Sequence, residues 1–206
     1  MAEQATAGRT PAQADGKTTF ATVFEVDPTH EQRARDIAAR FQHAIAPATV
    51  DFDFGGISRA AAAVPHARTT RIVRGWGLQE TAPVGVMVVS LKEAVRQALA
   101  EPFTNPRFWA RVESALTGAF VGLGTQDGTH LSFYEETEER TGYYYNVLFA
   151  LQDEETGDAV HAVALCLNAT VGLDGARTRA LTTDDTAFFT LRVNAVAIRQ
   201  QPPAAD

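Results

Sequence analysis

The stretch Tyr143–Gln152, which reads YYYNVLFALQ, constrains the fold of this chain more than any other. Alternate residues of a β-strand face opposite sides of the sheet. Both sides are apolar here: one carries Tyr143, Tyr145, Val147, Phe149 and Leu151, and the other carries Tyr144, Leu148 and Ala150. The acidic turn DEETG that follows indicates a hairpin, whose strands usually leave one face to water. This strand instead requires a packed layer on each face of its sheet.

Hydrophobic periodicity predicts the other elements. Alternation with a period of two predicts strands at 18–26, 68–78, 130–136, 159–171 and 186–198. Helical spacing predicts a first helix that begins with Asp27 and Pro28 and is ended by Pro47, and a short second helix around Ile57–Ala63. These two helices form the first predicted helix pair.

A second helix pair follows the arginine-rich strand at 68–78. Asn105 and Pro106 are typical of a helix start, and Pro102 ends the preceding helix. The apolar stripes of the two helices comprise Val84, Val88, Leu91, Val95 and Leu99 in the first, and Phe108, Val112 and Leu116 in the second. One helical hairpin on each face would satisfy the strand at Tyr143–Gln152.

The order of elements therefore predicts an α+β fold, within the broad α/β class. We expect a largely antiparallel, twisted sheet sandwiched between two layers of α-helical hairpins. The single domain is predicted to span residues 18–200, between a flexible tail at 1–17 and a second tail at 201–206.

Charge and hydropathy restrict the partners of the chain. The 206 residues carry a formal net charge of −7, which argues against a nucleic-acid partner because phosphate binding depends on clustered Lys and Arg. The apolar run Ala82–Leu91 is half the roughly 20 residues that a spanning helix needs. The first residues contain no apolar stretch typical of a secretory signal.

Motifs for catalysis, metal binding or cofactor binding do not stand out. The five histidines lack metal-ligand spacing, and Gly122–Gly128 follows a helix, the reverse of the order in a dinucleotide site. The glutamates at 135–139 are interpreted as a solvated loop, and Cys166 as a small core residue. We therefore predict no catalytic, cofactor or metal residues, and no enzymatic activity.

The motif YYYNVLFALQDEETG, at 143–157, resembles the strand and turn YNVLFAIQNxxTGG of the Cyt cytolytic δ-endotoxin family. GLGTQDGTHLSFYEETEERTG at 122–142, AFFTLRVNAVAI at 187–198 and VDFDFGGISRAAAAVP at 50–65 are similar to that family in order and spacing. The resemblance extends from about Phe20 to Arg199. It implies a soluble toxin with helix hairpins on both sides of a twisted sheet.

The resemblance also implies an activity and its partners. Such a toxin binds membrane phospholipids directly and permeabilises the bilayer, either through oligomeric pores of inserted strands or by a detergent-like disruption. We expect a monomer or dimer in solution, a homo-oligomer on membranes, and a preference for zwitterionic lipid because the chain is acidic. We also expect release without a recognisable signal peptide and action at target-cell membranes.

The last three predicted strands reach the 9 to 11 residues, approximately, that a strand needs to cross a bilayer. The membrane-insertion candidates in these strands are Tyr143, Tyr145, Val147, Leu148, Phe149, Leu151, Val163, Leu165, Leu167, Phe188, Phe189, Leu191 and Val193. Polar residues within the strands, namely Asn146, Asn168, Arg192 and Asn194, would have to face a lumen or each other.

Two other functions remain open on the sequence alone. A non-lytic lipid or small-ligand binding protein on the same fold would contain a closed apolar cavity between one hairpin and the sheet. A hydrolase would need a polar cleft that holds a nucleophile next to a histidine.

Overall fold

A computed structural model describes residues 19–46, 51–99 and 103–202 of the chain. The elements in chain order are β1 (Ala21–Glu25), α1 (Pro28–Gln42), β2 (Ile45–Ala46), β3 (Asp51–Phe52), α2 (Phe54–Ala62), β4 (Ala67–Pro83), α3 (Val84–Leu99), α4 (Pro106–Gly118), α5 (Leu123–Gln126), β5 (Leu131–Glu136), β6 (Thr141–Gln152), β7 (Val160–Val171), α6 (Gly175–Arg179) and β8 (Thr186–Gln200). The predicted tail at 1–17, most of the tail at 201–206, and the helix-ending Pro47 and Pro102 lie outside the described residues.

The main sheet has six strands, in the order β1-β6-β7-β8-β4, and β5 also pairs with β6. The hairpins from β5 to β8 are antiparallel, as is the pair formed by β4 and β8. The pair of β1 and β6 is parallel and sets Ala21 opposite Val147. The prediction of a largely antiparallel sheet is confirmed, with β1 as its one parallel member among the described strands.

Two separate cores lie on the two faces of this sheet. The α3–α4 layer packs on one face, and its core contains Leu91, Phe108, Phe149, Leu165 and Leu191. The α1–α2 layer packs on the other, and its core contains Ile37, Phe41, Ile57, Leu148 and Val196. The predicted demand of β6 for cover on both faces is therefore met by one helical hairpin per face.

The α1–α2 layer covers only part of its face of the sheet. In the first half of β8, buried residues alternate with exposed ones, among them Phe188, Thr190 and Arg192. From Ala195 to Ile198 every residue of β8 is buried. Alternate residues of a strand face the same side of the sheet. The change from alternating to continuous burial along β8 therefore marks where the α1–α2 layer begins to cover this face.

Local sequence explains where the helices begin. The Asn105 side chain accepts hydrogen bonds from the backbone N–H groups of Arg107 and Phe108, which confirms the predicted cap of α4. Helix α2 begins at Phe54, earlier than predicted, and includes Gly56. A Cβ atom on Gly56 would lie 2.7 Å from Asp53 Oδ2 and 3.2 Å from the Ala44 backbone, so the close approach of the chain explains a glycine in the first turn.

Candidate functional site

The face of the sheet under the α3–α4 layer, here termed the apolar face, carries most of the predicted membrane-insertion residues. They are Tyr143, Tyr145, Val147, Phe149, Leu151, Val163, Leu165, Leu167, Phe189, Leu191 and Val193, and all are at most 2% exposed. They form one continuous surface because β6, β7 and β8 pair in register. Two predicted residues lie elsewhere: Leu148 packs in the α1–α2 core, and Phe188 is 45% exposed on the same side.

The predicted helix stripes cover this apolar face. Val84, Val88, Leu91, Val95, Leu99, Phe108, Val112 and Leu116 all belong to the core beneath the α3–α4 layer. The ring of Phe108 meets that of Phe149 edge to face, with centroids 6.3 Å apart. Lys92 of α3 also forms an ion pair with Glu113 of α4 at 2.7 Å. The two helices thus form one layer over the strands.

Two tyrosine hydroxyls cross the buried interface. Tyr143 donates to the carbonyl oxygen of Ala119 at 2.7 Å, and Tyr145 donates to that of Ala115 at 3.2 Å. Burial raises the pKa of Tyr145 to about 12. Burial, together with the neighbouring Tyr134 and Tyr145, also raises the pKa of Tyr143. Both hydroxyls therefore remain neutral donors that tie the end of α4 to β6.

At the opposite end of α4 lies the β6–β7 turn, residues 153–159. The buried Asp153 organises this turn: its carboxylate accepts hydrogen bonds from the backbone N–H groups of Glu155 and Thr156. His161 donates from Nε2 at 2.9 Å, and Arg199 donates from Nη2 at 3.0 Å. Burial alone would raise the pKa of Asp153, but the bonds from His161, Thr156 and Arg199 hold it well below its ordinary range. The turn is fixed to β7 and β8 by one ionised side chain.

Glu154, the next residue of the turn, contacts the residues just before α4. Its Oε1 accepts from the backbone N–H groups of Thr104 and Asn105, both at 2.7 Å, and its Oε2 accepts from the Thr104 hydroxyl at 2.6 Å. Burial opposes ionisation of Glu154, but the bonds from Thr104 and Asn105 lower its pKa. The ring of Phe103 packs edge to face on His161, with centroids 4.9 Å apart. The segment before α4 therefore rests on the β6–β7 turn.

The same end of the sheet also holds α1. Gln152 accepts from the backbone N–H of Asp27 at 2.8 Å and donates to the Asp27 carboxylate at 3.1 Å. Arg33 donates to the carbonyl oxygens of Asp158 and Gln200 at 2.7 and 3.1 Å. Residues of the β6–β7 turn and its flanks therefore contact both helical layers.

Between these contacts lies a groove of about 310 Å³ that is open to solvent. It is lined by Glu25, Val26, Asp27, Asn105, Phe108, Leu151, Gln152, Asp153, Glu154 and Gly157. Most of these residues are polar, so the groove is not the closed apolar cavity that a ligand-binding protein of this fold would contain.

The opposite face of the sheet, here termed the mixed face, contains all four polar strand residues singled out from the sequence. Asn146 and Asn194 both lie opposite Cys166, and Asn168 lies opposite Arg192. Asn194 accepts from the backbone N–H of Gly75 at 2.8 Å, and Asn168 accepts from the Tyr134 hydroxyl at 2.8 Å. The sheet thus has an apolar face and a face with a polar band.

Sequence reasoning did not identify the contacts of Asp153 and Glu154. It treated DEETG only as an acidic turn, and His161 as one of several histidines without metal-ligand spacing. The available signal was the position of Asp153 at the start of a tight turn, where Asp side chains accept backbone hydrogen bonds. The partners Thr104 and Arg199 are distant in the chain, and no local pattern indicates them.

Within 19–46, 51–99 and 103–202, no group of three or more His, Cys, Asp or Glu side chains is arranged to hold a metal ion. Helices long and apolar enough to cross a membrane are likewise missing from this part of the chain. Cys166 is buried, at 1% exposure, in the α1–α2 core.

The fold and the interface define an α+β protein in which two helical hairpins enclose a sheet with one apolar face. This architecture is that of solved δ-endotoxins. It is similar to the activated Cyt2Ba monomer from Bacillus thuringiensis subsp. israelensis, with a TM-score of 0.84 and 28% identity over 91% of this chain and 100% of that one. A second structure, titled delta-endotoxin, gives a TM-score of 0.84 at 26% identity over 100% of this chain and 91% of that one.

Sequence comparison gives the family. The family model described as Bacillus thuringiensis toxin matches residues 9–202, and the chain belongs to this family. The type-2Aa cytolytic delta-endotoxin of subsp. kyushuensis is 29% identical over 182 residues, or 88% of this chain and 70% of the relative. The type-1Aa toxin of subsp. morrisoni is 26% identical over 200 residues, or 90% and 80%. The resemblance inferred from YYYNVLFALQDEETG is confirmed.

Proposed function

We propose that this chain is a membrane-permeabilising cytolysin that binds membrane phospholipids directly and acts as a homo-oligomer. Its relatives are named cytolytic delta-endotoxins, and it shares their fold. The proposed activity has no catalytic step. The protein is proposed to be a monomer or dimer in solution and to act, after its release, at target-cell membranes that display zwitterionic lipid.

The observation that carries this proposal is the difference between the two faces of the sheet. Under the α3–α4 layer, the middle parts of β6, β7 and β8 present apolar side chains and the tyrosines. Polar side chains occur on this face only near the strand ends, with Thr141 at one end and the paired His161 and Arg199 at the other, within the described strands. The polar strand residues Asn146, Asn168, Arg192 and Asn194 share the other face. An arginine that faces lipid at the bilayer midplane costs about 2 to 4 kcal/mol. Because these four polar residues lie on the mixed face, they would not contact lipid if the apolar face did, and this cost would not arise.

The strands are long enough for this role. β6 and β7 contain 12 residues each and β8 contains 15, whereas crossing a bilayer takes about 9 to 11. An open sheet edge in lipid leaves backbone groups unsatisfied at several kcal/mol each, so an inserted sheet must close or associate with other copies. The proposed mechanism therefore begins with departure of the α3–α4 layer and ends with an oligomer.

Dye release from phosphatidylcholine vesicles tests the proposal. We expect release with the full chain, or after proteolytic trimming of its N-terminal segment. Dyes of graded size separate the two routes, because a pore has a size limit and a detergent-like disruption does not. Vesicle binding without release would favour the non-lytic alternative, and no release under either condition would contradict the cytolytic function.

A further inference from the structure

Besides the Lys92–Glu113 ion pair with α3 and the bond from Gln126 to the Gly118 carbonyl, three groups of polar contacts hold α4 against the rest of the molecule. The hydroxyls of Tyr143 and Tyr145 bond to α4 carbonyl groups inside the core. Arg111 donates to the carbonyl oxygen of Phe24 at 2.6 Å and lies 3.1 Å from the Glu25 carboxylate. Glu154 binds the segment just before the helix. These groups differ in access to solvent: the tyrosines are buried, whereas Glu154 is an exposed turn residue.

The Glu154 contact is strong for an exposed group. Both carboxylate oxygens are used, and the three donor–acceptor distances to Thr104 and Asn105 are 2.6 to 2.7 Å. Hydrogen bonds to a charged group are shorter and stronger than those between neutral groups. The negative charge also lies next to the N-terminus of α4, where the helix dipole favours it.

The turn that carries Glu154 does not follow α4 if the contact breaks. Asp153 is tied to His161 and Arg199, and its other oxygen accepts from Thr156. These bonds anchor the turn on β7 and β8. Loss of the Glu154 contact therefore removes the polar contact between the start of α4 and a fixed support, and leaves the packing of Phe103 on His161.

We propose that Glu154 is a latch that keeps the α3–α4 layer closed over the apolar face, and that this layer opens first from the β6–β7 turn when the latch is broken. The inference rests on the proposed function, because it names the contact that controls departure of the layer.

The α1–α2 layer is held independently of this latch. Its contacts at the same end of the sheet are those between Gln152 and Asp27 and those from Arg33 to the carbonyl oxygens of Asp158 and Gln200. None of them involves Glu154. Breaking the latch should therefore release one face of the sheet and leave the other covered.

The test compares Glu154→Gln with Glu155→Gln. Glu155 is exposed in the same turn and contributes only its backbone N–H to Asp153, so its variant is a matched control for the loss of one negative charge. Thr104→Ala removes one of the three donors from the other side. Circular dichroism is the check that each variant is folded.

Amide hydrogen exchange in solution, without lipid, measures the latch by itself. We expect exchange of the first turns of α4 to be about tenfold faster in Glu154→Gln and accelerated less in Thr104→Ala, with α1 unchanged. Equal exchange of α4 in the Glu154 and Glu155 variants would overturn the proposal. Acceleration across the whole chain, α1 included, would also overturn it, because the effect would then be global destabilisation.

Dye release from phosphatidylcholine vesicles then tests the link to function. Faster release by Glu154→Gln than by Glu155→Gln supports the latch. Faster α4 exchange with unchanged release overturns its regulatory role. Faster α4 exchange with no release by any protein, the unmodified chain included, supports the latch and refutes the cytolytic function.

Discussion

The hydroxyl of Tyr143, on the central strand β6, donates a hydrogen bond to the carbonyl oxygen of Ala119, at the end of α4, across 2.7 Å in the buried core. Tyr143 was singled out because it lies in an apolar strand, but its hydroxyl also makes a polar contact between that strand and the helix layer. The closed arrangement of sheet and helix layer is stabilised by this contact as well as by hydrophobic burial.

Tyr143→Phe should lower the free energy of unfolding by about 1 to 3 kcal/mol, because it leaves the buried Ala119 carbonyl without this donor. Tyr145→Phe should cost less, since its bond to Ala115 is longer, at 3.2 Å, and less buried. Urea denaturation measures both values. No loss in either variant would show that burial of the rings, which phenylalanine keeps, and not the hydroxyl contact, decides the stability.

High pH should destabilise the protein through the same two tyrosines. In the unfolded chain they ionise near pH 10, whereas in the folded protein the pKa of Tyr145 is about 12 and that of Tyr143 is also raised. Their contribution is fully present below pH 10, approximately, and is lost as the pH rises toward the folded values. Alkaline unfolding followed by tyrosine absorbance measures this, and the double Phe variant should show a weaker pH dependence.

Asp153→Asn should destabilise the fold by about 3 kcal/mol, because it leaves Arg199 and His161 without their buried carboxylate partner. Asp184→Asn, at an exposed position, is the control. The folded pKa of Asp153 is depressed, so its contribution is present above the ordinary value near 4 and is lost as the pH falls below it. Thermal unfolding between pH 3 and 7, approximately, should show a slope that Asp153→Asn reduces.

Arg192→Glu tests whether the mixed face lines a water-filled path in the membrane-bound state. Arg192 is exposed in the described fold, so the substitution should leave the melting temperature nearly unchanged. If the mixed face lines such a path, the ion selectivity of planar-bilayer conductance should shift toward cations. An unchanged reversal potential in a conducting variant would place Arg192 away from the path.

Gly142→Ala tests the aromatic contact on the mixed face. A Cβ atom at this position would lie 2.6 Å from the ring of Tyr134, which bonds to Asn168 through its hydroxyl. The ring must move, so we expect loss of that bond and a cost of about 1 kcal/mol. Denaturation of Gly142→Ala and of Tyr134→Phe measures both contributions. A neutral effect of Gly142→Ala would mean that the ring has an alternative position of equal energy.

The sequence was sufficient to predict the layers of the fold. A strand that is apolar on both sides must be covered twice, and Asn105 with Pro106 indicated a helix start that the structure confirms. The limits were of two kinds. Phe188 and Phe189 are equally apolar in sequence, but only Phe189 is buried, because the α1–α2 layer ends short of Phe188. How far a layer extends depends on packing, and alternation alone does not specify it.

The candidate site shows the second limit. The contacts of Glu154 with Thr104 span fifty residues of sequence, and those of Asp153 with Arg199 span forty-six. Periodicity describes which side of an element is apolar, but it contains no information on which distant donors a turn carboxylate meets. The polar contacts at the β6–β7 turn therefore required the three-dimensional structure.

The parallel pairing of β1 with β6 bears on how the chain folds. Ala21 lies opposite Val147, so β1 pairs with a strand, β6, that is far later in the chain. Contacts of such long separation carry a high entropic cost of loop closure and slow the folding reaction. During synthesis, the pairing of β1 can therefore form only after β6 has been made. The sheet with the apolar face is complete only when most of the protein has been made.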